Sequence, residues 1–252
     1  MYRPRSTAVW FNLPGVVAAY QPVGAPGSQL ARINVANEQR TPGRYTAAPG
    51  VAPDWSARGG WGLDGSTQYL ATGISPTSRW TFAVAFSNAI WSTFRTMLGQ
   101  NGNMLSSRTF ISGQSPNVIL RNGGTNVSVP EVATGVAAAS DSAWLDGLLL
   151  GSLGTWSGTA YDLFVGAMNA SGSPTQYFTG NIRSVLIVSG VVSTEAIALM
   201  SHQMAWCHAN PDWSAWGRRR RYYYAPSAAA GLAFSPVGSG VVGSSVVRRI
   251  AA

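Results

Sequence analysis

Residues 161–200, YDLFVGAMNASGSPTQYFTGNIRSVLIVSGVVSTEAIALM, constrain the fold most, because forty consecutive residues spell strand, loop, strand, turn and helix. Phe178, Gly180, Ile182, Val185 and Ile187 set an apolar rhythm along an extended segment. Ser189-Gly190 then turns the chain, and Ser193 is placed to cap a helix beginning at Thr194. The spacing predicts a helix over 194–208, with Ile197, Met200, Met204 and Cys207 on one face, Glu195 near its positive end and Asn210-Pro211 as its stop. A short helix therefore closes a β-sheet.

The rest of the chain extends that sheet. Short β-branched and aromatic runs alternate with turn clusters such as Asn101-Gly102, Asn122-Gly123-Gly124 and Ser171-Gly172, and the 252 residues include 29 Gly and 14 Pro. Strands are expected at 61–71, 79–88, 94–99, 107–112, 117–121, 125–129, 133–139, 142–150, 160–167 and 177–189, after a first strand in VVAAYQPV from Val16. Residues 24–60 read as loop, with a brief strand-like ARINVA at 31–36. With 46% hydrophobic and 10% charged residues, the chain suits one large all-β body, an antiparallel two-sheet sandwich with one short C-terminal helix and extended N- and C-terminal arms. Three segments follow: an arm at 1–15, the sandwich at 16–209 and a basic, aromatic arm at 210–252.

Charge divides in the same way. Every basic residue is Arg; 16–209 hold nine Arg against eight acids, a net +1, whereas 210–252 hold six Arg against Asp212 alone, a net +5. Basicity thus belongs to the ends, as expected for a docking function. Arg218, Arg219, Arg220 and Arg221 followed by Tyr222, Tyr223 and Tyr224 form the sharpest constellation, guanidinium groups for carboxylate or phosphate beside rigid amphipathic rings. Phe234, Arg248 and Arg249 extend this docking segment. A cationic stretch joining a near-neutral body to a tail of apolar pegs favours an acidic protein partner over nucleic acid. No stretch reaches signal-peptide or membrane-span length, so neither secretion by that route nor membrane insertion is expected.

Catalytic and metal readings are the weaker ones. The acids never fall two apart in sequence, unlike the closely spaced carboxylate pair of a retaining glycosidase, which leaves a glycoside hydrolase as the third reading. His202 and His208 stand almost opposite in helical phase, and the single cysteine, Cys207, reads as a small packed residue. Asp64 and Asp146 each precede Gly, which turn formation explains. No catalytic residue, metal site or cofactor is expected, and His202 and His208 are read as helix packing plus a surface imidazole. Carbohydrate binding needs flat aromatic faces and planar polar groups on rim loops, for which Trp91, Trp156 and Tyr177 with Asn101, Asn103, Arg108, Arg121, Asn122 and Asn126 are the candidates.

The blocks GWGLDGSTQYL at 60–70, SRWTFAVAFSN at 78–88, AWLDGLLLGS at 143–152 and YFTGNIRSVLIVSGVVSTEAI at 177–197 resemble, in this order, the laminin-G-like branch of the concanavalin A-like jelly rolls. The resemblance implies a jelly roll and binding rather than catalysis. It departs at VATGVAAASDS, where the family carries a strand containing Trp and His. The layout, with VAAYQP first and Asn-Pro, a Trp-rich step and RRRRYYYAPS last, resembles bacteriophage and prophage structural proteins. That second resemblance implies a virion component made in the bacterial host cytoplasm and carried on the phage particle surface. It would be a capsid cement or decoration protein, homo-oligomeric, docked on the major capsid or another virion protein. A lectin module recognising host surface polysaccharide is the alternative.

Overall fold

The alternation at 178–187 becomes one long central strand in the computed structural model, which describes residues 10–36, 44–77, 79–91, 94–101, 108–114, 117–122, 125–154 and 161–210, without the side chains of 108–110, 114 and 122. In chain order the elements are β1 (Val16–Tyr20), helix α1 (Ser28–Ala31), β2 (Ala48–Val51), β3 (Asp54–Ser56), β4 (Gly60–Asp64), β5 (Tyr69–Ala71) and β6 (Thr81–Ser87). β7 (Arg95–Asn101), β8 (Arg108–Gln114), β9 (Asn117–Asn122), β10 (Thr125–Pro130) and β11 (Gly135–Ala139) follow. The chain continues through β12 (Ser142–Leu145), β13 (Leu148–Ser152), β14 (Phe164–Val165), β15 (Met168–Ala170), β16 (Ser173–Thr175), β17 (Thr179–Val188) and helix α2 (Thr194–Ala209).

Two sheets result, and they make the expected all-β jelly-roll sandwich. The first has the order β13-β12-β11-β6-β17-β4-β3. β17 pairs with β6 along one side, while β4 and β1 share its other side, β4 at Thr179–Ile182 and β1 at Val185–Val188. The second has the order β10-β9-β8-β7-β14-β5-β2, with β15 alongside β7 and carrying β16.

Small residues decide how the third layer packs. The register sets Phe82, Val84, Phe86, Ile182, Val185 and Ile187 on one face of the first sheet, and Ala83, Ala85, Ala138, Ser184 and Leu186 on the other. Ser184 Oγ lies 3.0 Å from Nε2 of His208, so the alanine-rich face is the one covered by α2. Alanines let the helix approach closely, and the burial of both faces explains why β6 and β11 read as continuous apolar runs. Ser193 Oγ accepts from the Ala196 amide at 3.3 Å, capping the helix as expected.

Three readings of the sequence are corrected. Residues 10–15 pack on the body: Trp10, 1% exposed, opens a 3₁₀ turn at Trp10–Asn12 and meets Phe11 edge-on at 5.5 Å, and the Gly15 carbonyl accepts from Ser189 N at 2.9 Å. An indole this large gains more from a core site than from an extended arm. Residues 61–71 form two strands in different sheets, because the Asp64 carboxylate captures successive backbone amides and turns the chain. ARINVA at 31–36 is a helix end and turn. There Asn34 Oδ1 accepts from Ala19 N at 2.9 Å and its Nδ2 donates to Val17 O at 2.9 Å, so one side-chain amide serves β1 in place of a strand. The two histidines divide as the sequence suggests, His208 buried in the packing of α2 and His202 exposed.

Candidate functional site

Three connections between the sheets meet at one end of the sandwich. The turn at 65–68 passes from β4 to β5, the segment from Asn88 leads from β6 towards β7, and 176–178 returns the chain from β16 to β17. Each crossing begins or ends on a rigid strand, which places loop side chains on a fixed base.

Asp64 builds the first crossing. Its carboxylate accepts from the amides of Ser66 at 2.9 Å, Thr67 at 3.0 Å and Gln68 at 3.2 Å, and from the hydroxyls of Ser66 at 2.7 Å and Thr67 at 2.9 Å. Desolvation pulls its pKa upward, but the amide and hydroxyl donors of Thr67, Ser66 and Gln68 outweigh it and hold the carboxyl well below the usual range. Gly65, at φ +76°, must be glycine here, since a Cβ would lie 1.9 Å from Thr179 Oγ1 and 3.0 Å from Arg95 Nη1.

Arg95 ties the crossings together. Its Nη1 donates to the carbonyl of Gly65 and, at 2.9 Å, to that of Tyr177. On the third crossing Gln176 adopts φ +52°, and its side-chain oxygen accepts from Thr96 Oγ1 at 3.2 Å while its carbonyl accepts from Thr96 N at 2.8 Å. Phe178 then turns into the core and Tyr177 to the outside. The Tyr177 ring meets Tyr69 at 6.4 Å, and Tyr69 in turn packs on Phe164 at 4.8 Å.

The outcome is a shallow, open depression of about 380 Å³ lined by Gly65, Ser66, Phe94, Arg95, Gln176 and Tyr177. Phe94 is 43% exposed. A guanidinium, a hydroxyl, a planar amide and two aromatic rings therefore converge on one concave rim, a donor-rich and aromatic set suited to a hydroxylated ligand. No Asp, Glu or His is among these lining residues, and no cluster of three metal-ligating side chains occurs among the described residues.

No protein-family model matches this sequence, and neither does any curated protein sequence. Among solved structures, the chain is similar to the CBM40 of the Ruminococcus gnavus IT-sialidase bound to α2,3-sialyllactose, at 11% identity over 50% of this chain and 84% of that one, with a TM-score of 0.38. It is also similar to a SAP-like pentraxin from Limulus polyphemus, at 10% identity over 53% of this chain and 75% of that one, TM-score 0.39. A mutant Trypanosoma rangeli sialidase displaying trans-sialidase activity shares 15% identity over 75% of this chain and 33% of that one, TM-score 0.48. Likeness of this extent carries neither ligand nor chemistry across.

The structure separates the carbohydrate candidates chosen from sequence. Tyr177 lines the depression. Trp91 sits at the same end but packs inward, its ring 5.8 Å from Phe86 and 5.6 Å from Phe178, its Nε1 donating to Val132 O at 2.9 Å. Any Cβ on Gly113 would fall 1.9 Å from that indole, so Trp91 is a core plug rather than a stacking platform. Asn101, Arg108 and Asn122 gather at the opposite end of the second sheet, where Asn101 faces Arg108 and Thr109 faces Asn122 across the ladders. Arg121 and the exposed Asn126 face one another between β9 and β10. Asn103 and Trp156 lie outside the described residues, as do the docking residues Arg218, Arg219, Arg220, Arg221, Tyr222, Tyr223, Tyr224, Phe234, Arg248 and Arg249.

Sequence reasoning missed Phe94, Arg95, Ser66 and Gln176. The signal available was Phe94-Arg95 at the mouth of a predicted strand, an aromatic beside a cation just where a rim loop ends.

Proposed function

We propose that this chain is a carbohydrate-binding module whose ligand lies in the depression between the three crossings. The observation that carries this reading is the exposed Phe94 ring beside Arg95, itself anchored between the carbonyls of Gly65 and Tyr177. Phe94 and Tyr177 offer flat faces to sugar C–H surfaces, while Ser66, Gln176 and Arg95 offer polar groups for hydroxyls. Binding without hydrolysis is the matching proposal, because a glycosidase places two carboxyl groups about its bond, whereas the residues lining this depression carry none and the neighbouring Asp64 carboxylate is engaged by its own turn.

A glycan array probed with the full chain tests the reading. Phe94→Ala is expected to weaken the strongest hits by about tenfold, the scale of one lost aromatic contact of about 1.4 kcal/mol. Equal binding by Phe94→Ala and wild type, or no glycan bound at all, would overturn it.

A second reading concerns where the module is displayed, and the segregation of charge favours it: five net positive charges fall in residues 210–252 beside a body of net +1. In this reading the chain is a phage cement or decoration protein, attached by its Arg- and Tyr-rich tail to an acidic neighbour in the capsid. Deleting 218–252 is expected to abolish attachment to particles while thermal melting of the body is unchanged. Full occupancy of particles by the truncated chain would sink the anchor model.

A further inference from the structure

The outer strands of both sheets come together on one flank without a charged side chain. β10, Thr-Asn-Val-Ser-Val-Pro, ends the second sheet, and β13, Leu-Leu-Leu-Gly-Ser, ends the first. The two strands approach closely, since a Cβ on Gly151 would lie 3.3 Å from Val127 Cγ2. Among the described residues neither strand has a second neighbour, and Leu148 and Leu149 are 72% and 56% exposed. Sheet edges that stay in solvent are ordinarily blunted by charge, proline or a bulge. Here Pro130 stands at the end of β10, and the irregular register beside Ala143 interrupts β13, but β10 itself pairs with β9 residue for residue from Thr125 to Pro130.

We propose that this flank is the interface for a second copy of this chain, joined about a two-fold axis perpendicular to the sheets, with β10 pairing antiparallel to β10 of the other copy. Centred on Val127, this register sets Val127 against its symmetry mate and Thr125 against Val129 on the inner face. It sets Asn126 against Ser128 on the outer one. Valine meets valine at the centre, the Thr125 methyl packs on Val129, and the Asn126 amide meets the Ser128 hydroxyl, so a single sequence is complementary to itself. Neither strand carries a charge, so two identical edges meet without repulsion. The exposed leucines of β13 add the apolar area that a six-residue ladder lacks. β10 stands three strands from β7 in the sheet order, about 14 Å at the usual strand spacing, so pairing leaves the Arg95 depression open. The dimer would present two such sites and raise avidity for a repetitive ligand.

Analytical ultracentrifugation of the full chain tests the interface directly. Wild type is expected to sediment as two chains, and the exposed-site variant Asn126→Lys/Ser128→Lys to weaken association by about tenfold or more, through like charges set opposite one another. Asn126→Glu/Ser128→Glu should also be monomeric, whereas an equimolar mixture of the two variants should restore the dimer. A monomeric wild type, a lysine variant that associates as tightly as wild type, or a mixture that stays monomeric would each overturn the proposal.

Discussion

Trp10→Ala is expected to destabilise the protein by about 3–5 kcal/mol, the cost of emptying a large aromatic site in a packed core. Trp10 is 1% exposed and lies in the continuous core with Tyr20, Trp61 and the buried face of α2. Its 3₁₀ turn is wedged between β1 and α2, so the lost volume opens where three elements meet and cannot collapse without moving the helix. For a body of this size the change corresponds to a melting temperature lower by roughly 10 °C. Asn12→Ala, two residues away at an exposed position, is the control and should stay within about 0.5 kcal/mol of wild type. Urea unfolding of the three proteins checks the prediction. A Trp10→Ala midpoint equal to that of Asn12→Ala would mean that the indole is not a core residue.

Trp10 also shows where sequence reading fails. A Trp-Phe pair between Pro4 and Pro14 has no periodic partner, so nothing local separates a core anchor from a sticky arm; only contact with residues more than a hundred positions away decides. β17 and α2 were legible because their signals are local and repeated: an apolar rhythm, then a capping Ser193, then helical spacing, then Asn210-Pro211. β2 and β16, APGV and SPT, carry proline and too few residues for any period to register. The strand read across 61–71 failed for another reason. Its alternation does continue, but a carboxylate that accepts from three successive amides outcompetes the ladder, and the chain changes sheet at Asp64. Of the candidate site, Tyr177 alone was legible on the same logic. Tyr177 stands out as an aromatic before a strong strand, whereas Trp91 looked equivalent and is turned inward by Phe86 and Phe178. Which face an aromatic at a strand end takes is set by neighbours distant in sequence.

Acid should unfold this protein in two successive windows, and His208 governs the first. Burial lowers the His208 pKa to about 3, and the Arg183 guanidinium nearby pushes in the same direction. Above the unfolded value of about 6.5 both states carry a neutral ring, and stability is complete. As pH falls from there towards 3, the unfolded chain takes up a proton that the folded one refuses, so stability drops by about 1.4 kcal/mol per pH unit, on the order of 4 kcal/mol across the window. The ring cannot simply swing out to be solvated: Ser184 Oγ stands 3.0 Å from Nε2, and Arg183 Nη2 donates to the His208 carbonyl at 3.2 Å, fixing the last turn of α2 on β17. Asp64 acts in the second window. Its pKa is depressed, so the stability it supplies is present above the unfolded carboxylate value of about 3.9 and is lost as pH falls below that. Unfolding midpoints in urea between pH 8 and 3 separate the two groups, because His208→Gln should flatten the curve between about pH 6.5 and 4, while Asp64→Asn lowers the plateau and flattens only its acid end. An unchanged slope between pH 6 and 4 in His208→Gln would show that the imidazole titrates normally, and α2 would then be held to the sheet by Ile197, Met200 and Met204 with no help from a neutral histidine.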